Sequence, residues 1–160
     1  MRHARSLLLA GVLLSFASTA WADATVFLGT AFAPSNRTTR GFALGGGLLF
    51  LGFEFEYGDT VEDLSEGSPS LRTGMGNILF QTPVPVFGLQ PYFTTGAGVY
   101  RESLGDFGSE TNFGINNGGG VKISLIGPVR ARVDYRVFTL RGSPREDVVQ
   151  RLYVGVNLNF

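Results

Sequence analysis

Residues 129–137, VRARVDYRV, limit the possible folds of this chain more than any other stretch. Successive side chains of an extended strand point to opposite faces. Val129, Ala131, Val133, Tyr135 and Val137 therefore share one face, and Arg130, Arg132, Asp134 and Arg136 share the other. Residues 53–57, FEFEY, repeat the pattern with aromatics opposite Glu54 and Glu56. The C-terminal segment does so again: Leu152, Val154, Val156, Leu158 and Phe160 alternate with Tyr153, Gly155, Asn157 and Asn159. Beyond residue 22 no stretch of helical length has apolar spacings of three and four, and glycine recurs too often for stable helix interiors. A soluble sandwich also alternates, so alternation alone does not identify the solvent.

Strand lengths and connections do. Alternation and turn residues divide the chain into eight strands, near residues 24–33, 41–50, 53–59, 71–81, 91–101, 112–125, 129–140 and 151–160. All but the third reach the roughly nine residues that a tilted strand needs to cross a bilayer. The first, third, fifth and seventh connections are polar: PSNRTTR, DTVEDLSEGSPS, ESLGDFGSET and RGSPREDVVQ. Of the others, residues 51–52 and 126–128 are tight turns, and residues 82–90, TPVPVFGLQ, are apolar and broken by proline. Long polar loops on one rim and short turns on the other are the arrangement of an outer-membrane barrel. The expected fold is all-β, an eight-stranded antiparallel up-and-down transmembrane β-barrel. Closure leaves no strand edge to protect, so the chain can stop within a strand on Phe160.

The N-terminus fits an exported protein. Residues 1–5, MRHAR, are basic, residues 7–20 carry no charge, and Ala20-Trp21-Ala22 is a small-x-small cleavage site. The apolar run of about 14 residues is short of the roughly 20 that a spanning helix requires. Residues 1–22 are expected to be a cleaved signal peptide and residues 23–160 the outer-membrane barrel domain. Without Arg2 and Arg5, 11 basic residues stand against 13 acidic ones, a formal charge of −2. That excludes a basic field for nucleic acid. The chain has no cysteine, which excludes a disulfide-stapled module, and its single histidine, His3, leaves with the signal.

The terminal strand ending in Phe160 resembles the signature by which outer-membrane barrels are recognised for assembly, with Tyr153, Val156, Leu158 and Phe160 as its residues here. PYFTTGAGVYR, NNGGGVKISL and VRARVDYRVF likewise resemble the closing hairpins of small outer-membrane β-barrels. These are the porin or opacity-like family, akin to the transmembrane domain of outer membrane protein A. The resemblance covers residues 23–160. It implies residence in the outer membrane among lipid and lipopolysaccharide, delivery by periplasmic chaperones and the barrel-assembly machinery, and a monomer. The peptidoglycan-binding domain that such proteins often add is not expected here.

If the apolar sets face lipid, Glu54, Glu56, Lys122, Arg130, Arg132, Asp134 and Arg136 point into the lumen with Asn116 and Ser124. Turning one Arg or Lys to lipid at the midplane costs about 2 to 4 kcal/mol, which sets the register. The paired carboxylates Glu54 and Glu56 suit acid–base work in isolation, but beside four inward cations they read as members of a salt-bridge network. GINNGGGVK lacks the Gly-Lys-Ser/Thr of a phosphate loop. Its glycines, like Gly96 and Gly98, suit close packing and curvature. Enzymes on eight-stranded barrels use histidine and serine, and residues 23–160 contain neither histidine nor cysteine. The expectation is a non-enzymatic barrel with no cofactor and no metal, and with a lumen filled by side chains. The alternative is a narrow channel for small or apolar solutes.

In the polar loops, Arg37 and Arg40 are candidates for binding lipopolysaccharide phosphates directly. Asp59, Glu62, Asp63 and Glu66, and Glu102, Asp106 and Glu110 in the next loop, are candidates for sharing divalent cations with them.

Overall fold

The computed structural model describes residues 20–105 and 108–160. The basic start and apolar run of the expected signal, up to residue 19, and the loop residue Asp106 lie outside them. Eight strands follow one another: β1 (Ala20–Ala31), β2 (Arg37–Leu48), β3 (Leu51–Thr60), β4 (Ser70–Gln81), β5 (Leu89–Ser103), β6 (Ser109–Ile126), β7 (Val129–Leu140) and β8 (Val148–Asn159). Each pairs antiparallel with the next and β8 pairs back with β1, which closes an all-antiparallel barrel. The alternation explains this directly. In β3 Phe53 and Phe55 are exposed while Glu54 and Glu56 are buried, an inversion of the usual soluble pattern that runs around the whole wall.

Most strands are longer, and the loops shorter, than the sequence suggests. The connections at one rim span residues 32–36, 61–69, 104–108 and 141–147; those at the other span 49–50, 82–88 and 127–128. Polar residues at strand ends read as loop, yet their backbones continue the ladder. The turn expected at Leu51 and Gly52 sits instead at Leu49 and Phe50. Gly47 and Gly52 face each other inside the ladder, and a Cβ on either would lie 2.6 Å from the indole of Trp21. Gly127, at a left-handed φ of 53°, opens the tight turn from β6 to β7.

β1 starts at Ala20, ahead of the expected cleavage after Ala22. Its register with β8 runs from Asp23, opposite Asn159, to Ala31, opposite Arg151, and backbone bonds from Ala22 to Phe160 and from Phe32 to Gln150 extend the seam by one residue at each end.

Candidate functional site

The interior divides into layers. Toward the rim of longer loops, Ala31, Leu71, Met75, Tyr100, Phe138, Leu140 and Val149 form a buried apolar cluster. Sequence alternation did not reveal it, because these residues are spread over five strands, with only one or two in each. Below it lies an ionic layer built from β3, β7 and β8. Glu54 faces Arg132 and Arg136 across the lumen: Arg132 donates from both terminal nitrogens, at 2.5 and 3.2 Å, and Arg136 donates at 2.8 Å. Asp134 accepts from Arg132 at 3.1 Å and from Arg136 at 2.9 Å, and from the Tyr92 hydroxyl. The Arg132 Nε in turn donates to that hydroxyl at 2.7 Å. Glu56 accepts from Arg151 at 2.6 Å and from the Tyr153 hydroxyl at 3.2 Å, and lies 3.0 Å from Arg136 Nη1. That last contact is an ion pair without hydrogen-bond geometry.

Nearer the opposite rim, Lys122 donates to Asp23 and, at 3.4 Å, to Gln81. Its ammonium lies 4.7 Å from the centre of the Trp21 ring. Between the layers Asn116 donates to Asn77 at 2.8 Å. Arg151 joins the ionic and apolar layers, its guanidinium 4.3 Å from the centre of the Phe138 ring. Buried Lys122, Arg132, Arg136 and Arg151 thus stand against buried Asp23, Glu54, Glu56 and Asp134. Within this network the two sets balance, as a low-dielectric interior requires; Arg37, also buried, stands apart from it and bonds backbone carbonyls.

Several candidate residues are placed differently from expectation. Arg130 points inward but lies at the mouth, donating at 2.7 Å to both Gln90 and Asn159, and makes no ion pair among the described residues. Ser124, of the same parity and the register partner of Arg130, is exposed at that mouth. Asp23 and Arg151 belong to the network, although sequence reasoning passed them over. Arg151 sits two residues from Tyr153, so parity already carried that signal. Tyr153 itself is buried and stacked on Phe27 with ring centroids 4.1 Å apart, while Val156, Leu158 and Phe160 are exposed on the wall. The four candidate assembly residues therefore do not share a face. Phe160 lies just past the end of β8 and exchanges two backbone hydrogen bonds with Ala22.

The loop candidates are corrected too. Arg37 opens β2 and is buried, donating to the carbonyls of Pro69 and of Ala33. With its guanidinium committed to loop carbonyls, it presents no open phosphate site. Asp59 belongs to β3 and bonds Arg72 at 3.1 Å, with Arg40 at 3.6 Å. Glu62 accepts the Gly105 N–H at 3.1 Å. Asp63 caps its own turn, accepting from the Ser65 hydroxyl and from the backbone of Ser65 and Glu66; the hydroxyl bond leads in holding its carboxyl below the usual range. Glu66 is exposed. Among the described residues no group of three or more His, Cys, Asp or Glu is placed to hold a metal ion.

No family model matches the sequence, and no curated protein matches it. Solved structures do. Neisserial surface protein A superposes with a TM-score of 0.72 at 16% identity, over 89% of this chain and 97% of that one. The N-terminal β-barrel domain of Pseudomonas aeruginosa OprF gives 0.63 at 19% identity, over 88% and 97%. This is the fold of the small outer-membrane β-barrels. Other barrels of the group differ in what they do. Ail, the attachment invasion locus protein of Yersinia pestis, was solved with the heparin analogue sucrose octasulfate and gives 0.58 at 15% identity, over 88% of this chain and 98% of that one. The outer membrane enzyme PagL gives 0.52 at 17% identity, over 85% and 98%. The outer-membrane barrel fold alone therefore does not separate enzyme from non-enzyme.

Proposed function

We propose that this protein is a non-enzymatic integral outer-membrane barrel, closed to solutes through its lumen, whose role is structural or is exerted through its outer surfaces. The observation that carries this reading is the pair of layers across the lumen: a charge-balanced network of buried side chains beneath a buried apolar cluster. An eight-stranded barrel is just wide enough for side chains to fill. Outer-membrane placement is supported by the structural neighbours and by the inverted wall. Val26, Leu28, Phe53, Phe55, Phe93, Val154 and Val156 are among the large apolar side chains exposed there. The longer loops then face the cell exterior and the tight turns the periplasm. Against catalysis stands the lack of histidine and cysteine in residues 23–160.

Planar-bilayer recording tests the closed lumen. The purified monomer is expected to give no steady conductance, and reproducible single-channel steps would put the narrow-channel alternative first. Fractionation tests the compartment: a mature chain starting at Asp23 should be recovered with the outer membrane, and a soluble periplasmic product would overturn the placement.

The terminal strand is proposed to carry the assembly signal, with Phe160, 78% exposed, presented on the wall. Deleting Phe160 is expected to lower the yield of folded, heat-modifiable barrel in cells while leaving refolding into detergent nearly unchanged. Equal yields in cells would remove Phe160 from the signal.

A further inference from the structure

The lipid-facing wall carries one polar interruption. On β4, β5 and β6, below the rung of Arg72, Arg101 and Thr111 at their exterior ends, the outward side chains are apolar or glycine except at Thr95 and Asn117. These two are register partners, and the Thr95 hydroxyl donates to Asn117 Oδ1 at 2.8 Å. Asn117 is exposed on the wall, and its amide nitrogen finds no acceptor among the described residues. Hydrocarbon supplies none, so a lone barrel holds a polar donor in lipid without a partner.

The register places the pair at mid-depth. A rung that leaves β1 at Ala22, near its periplasmic end, passes Ile78, Thr95 and Asn117 and reaches Gln150, which bonds Phe32 just past the exterior end of β1. One turn around the wall therefore climbs ten residues of the chain, from Ala22 to Phe32. Thr95 lies four strands along that climb and Asn117 five, at and just above half its height. At about 3.3 Å per residue and the usual tilt of about 40°, ten residues rise about 25 Å, the height of the apolar band.

We propose that Thr95 and Asn117 are the centre of a contact between two copies of this barrel, paired side by side in the membrane. This rests on the outer-membrane placement above, gives the outer surface a partner, and replaces the monomer implied by the resemblance. Each Asn117 amide donates to the Thr95 hydroxyl oxygen of the second copy. With the bond that each Thr95 already gives its own Asn117, the four side chains close a ring of four hydrogen bonds, and each amide has its acceptor.

Copies inserted in the same direction are related by an axis along the membrane normal, and a two-fold contact sets the same patch on both sides. Residues of nearly equal depth then meet. A neighbouring donor and acceptor on one rung satisfy that condition, where a lone donor or a charge would meet its own like. The approach is open: Ala97 and Gly119 flank the pair, and no charged side chain points outward on β5 or β6 below Arg101. Between membrane-spanning helices, where lipid is as apolar as the surfaces it separates, close packing and polar side chains hold such contacts together. An acyl chain over the patch accepts no hydrogen bond, so the occupant is protein; the self-complementary pair makes it a second copy.

The test uses the barrel refolded into phosphatidylcholine vesicles and labelled with donor or acceptor dye through Ser143→Cys in an exterior loop, the chain having no cysteine of its own. Energy transfer is expected, and it should fall as added lipid dilutes the protein, as for a reversible pair. Adding Thr95→Val and Asn117→Leu together should weaken association about tenfold, the loss of two hydrogen bonds of this kind. At high dilution the same change should not lower the urea midpoint, because it takes polar groups off the lipid face; a lower midpoint would make the pair a structural bond of the single barrel. In a second series without dye, Ile115→Cys, two residues from Asn117 on the same face, should form a disulfide dimer on oxidation, which needs Cα atoms within about 7 Å. Val154→Cys, on the far wall, should not. Heat-modifiability on gels verifies that each variant is folded. Transfer absent at every protein-to-lipid ratio, an unchanged association in the double variant, or equal disulfide yields from Ile115→Cys and Val154→Cys would overturn the proposal. Failure of the outer-membrane placement is read separately, from fractionation.

Discussion

Replacing Arg136 by alanine is expected to destabilise the barrel by about 3 to 5 kcal/mol, because truncation of one partner leaves buried charge uncompensated. Arg136 is the side chain with the most to lose. It reaches Glu54, Asp134 and Glu56 at once, and all four groups are buried. Arg132→Ala, which strips Glu54 of its two-pronged partner, should cost a comparable amount, and lumen water admitted by either truncation would reduce the loss. Arg130→Ala is the control. Its guanidinium bonds two neutral amide oxygens at the mouth, so about 1 kcal/mol is expected. Urea unfolding in lipid vesicles ranks the three. If Arg136→Ala and Arg130→Ala unfold at the same denaturant concentration, the buried network does not stabilise the barrel as described.

A comparably large effect is expected from a single methyl group on β5. A Cβ at Gly98 would lie 2.0 Å from the carbonyl oxygen of Gly74 and 2.8 Å from the Cα of Met75, both backbone atoms that cannot rotate away. Gly98→Ala must therefore push β4 and β5 apart, at a cost of about 3 kcal/mol. Gly76→Ala is the matched comparison on the adjacent strand. Its Cβ meets nothing nearer than the Ala97 oxygen at 3.8 Å, an ordinary contact, and the change should be nearly neutral or slightly stabilising. Folded fraction and unfolding midpoint measured side by side decide the matter; similar behaviour of the two variants would rule out the close approach at Gly98.

The strand count, the closure and the inward face of β3 and β7 were legible because period-two alternation survives wherever one face meets lipid. VRARVDYRV and FEFEY state their parity outright. What was hidden followed from the ends of strands. Arg37 and Asp59 are charged residues beside polar loops, and local sequence offers no sign that their backbones still pair, so they read as loop. The charge balance was obscured for a related reason. Counting only the strongly alternating strands yields four cations and three carboxylates with Arg130 included. The structure moves Arg130 to the mouth and brings in Arg151 and Asp23 from β8 and β1. Those two strands meet only at the seam, a contact between the two ends of the sequence that no local pattern can report.

The partners in the lumen are remote along the chain. Glu54 and Arg132 are 78 residues apart, Asp23 and Lys122 are 99, and Thr25 and Asn157 are 132. The β7–β8 hairpin entering the bilayer alone would carry Arg132, Arg136 and Arg151 with Asp134 but without Glu54 and Glu56 of β3, at about 2 to 4 kcal/mol for each uncompensated arginine near the midplane. A partly built barrel is accordingly the least tolerable species on the way to the native one. Insertion and closure are therefore expected to be coupled in one late, slow event, with the chain staying out of the hydrocarbon until its two ends can meet.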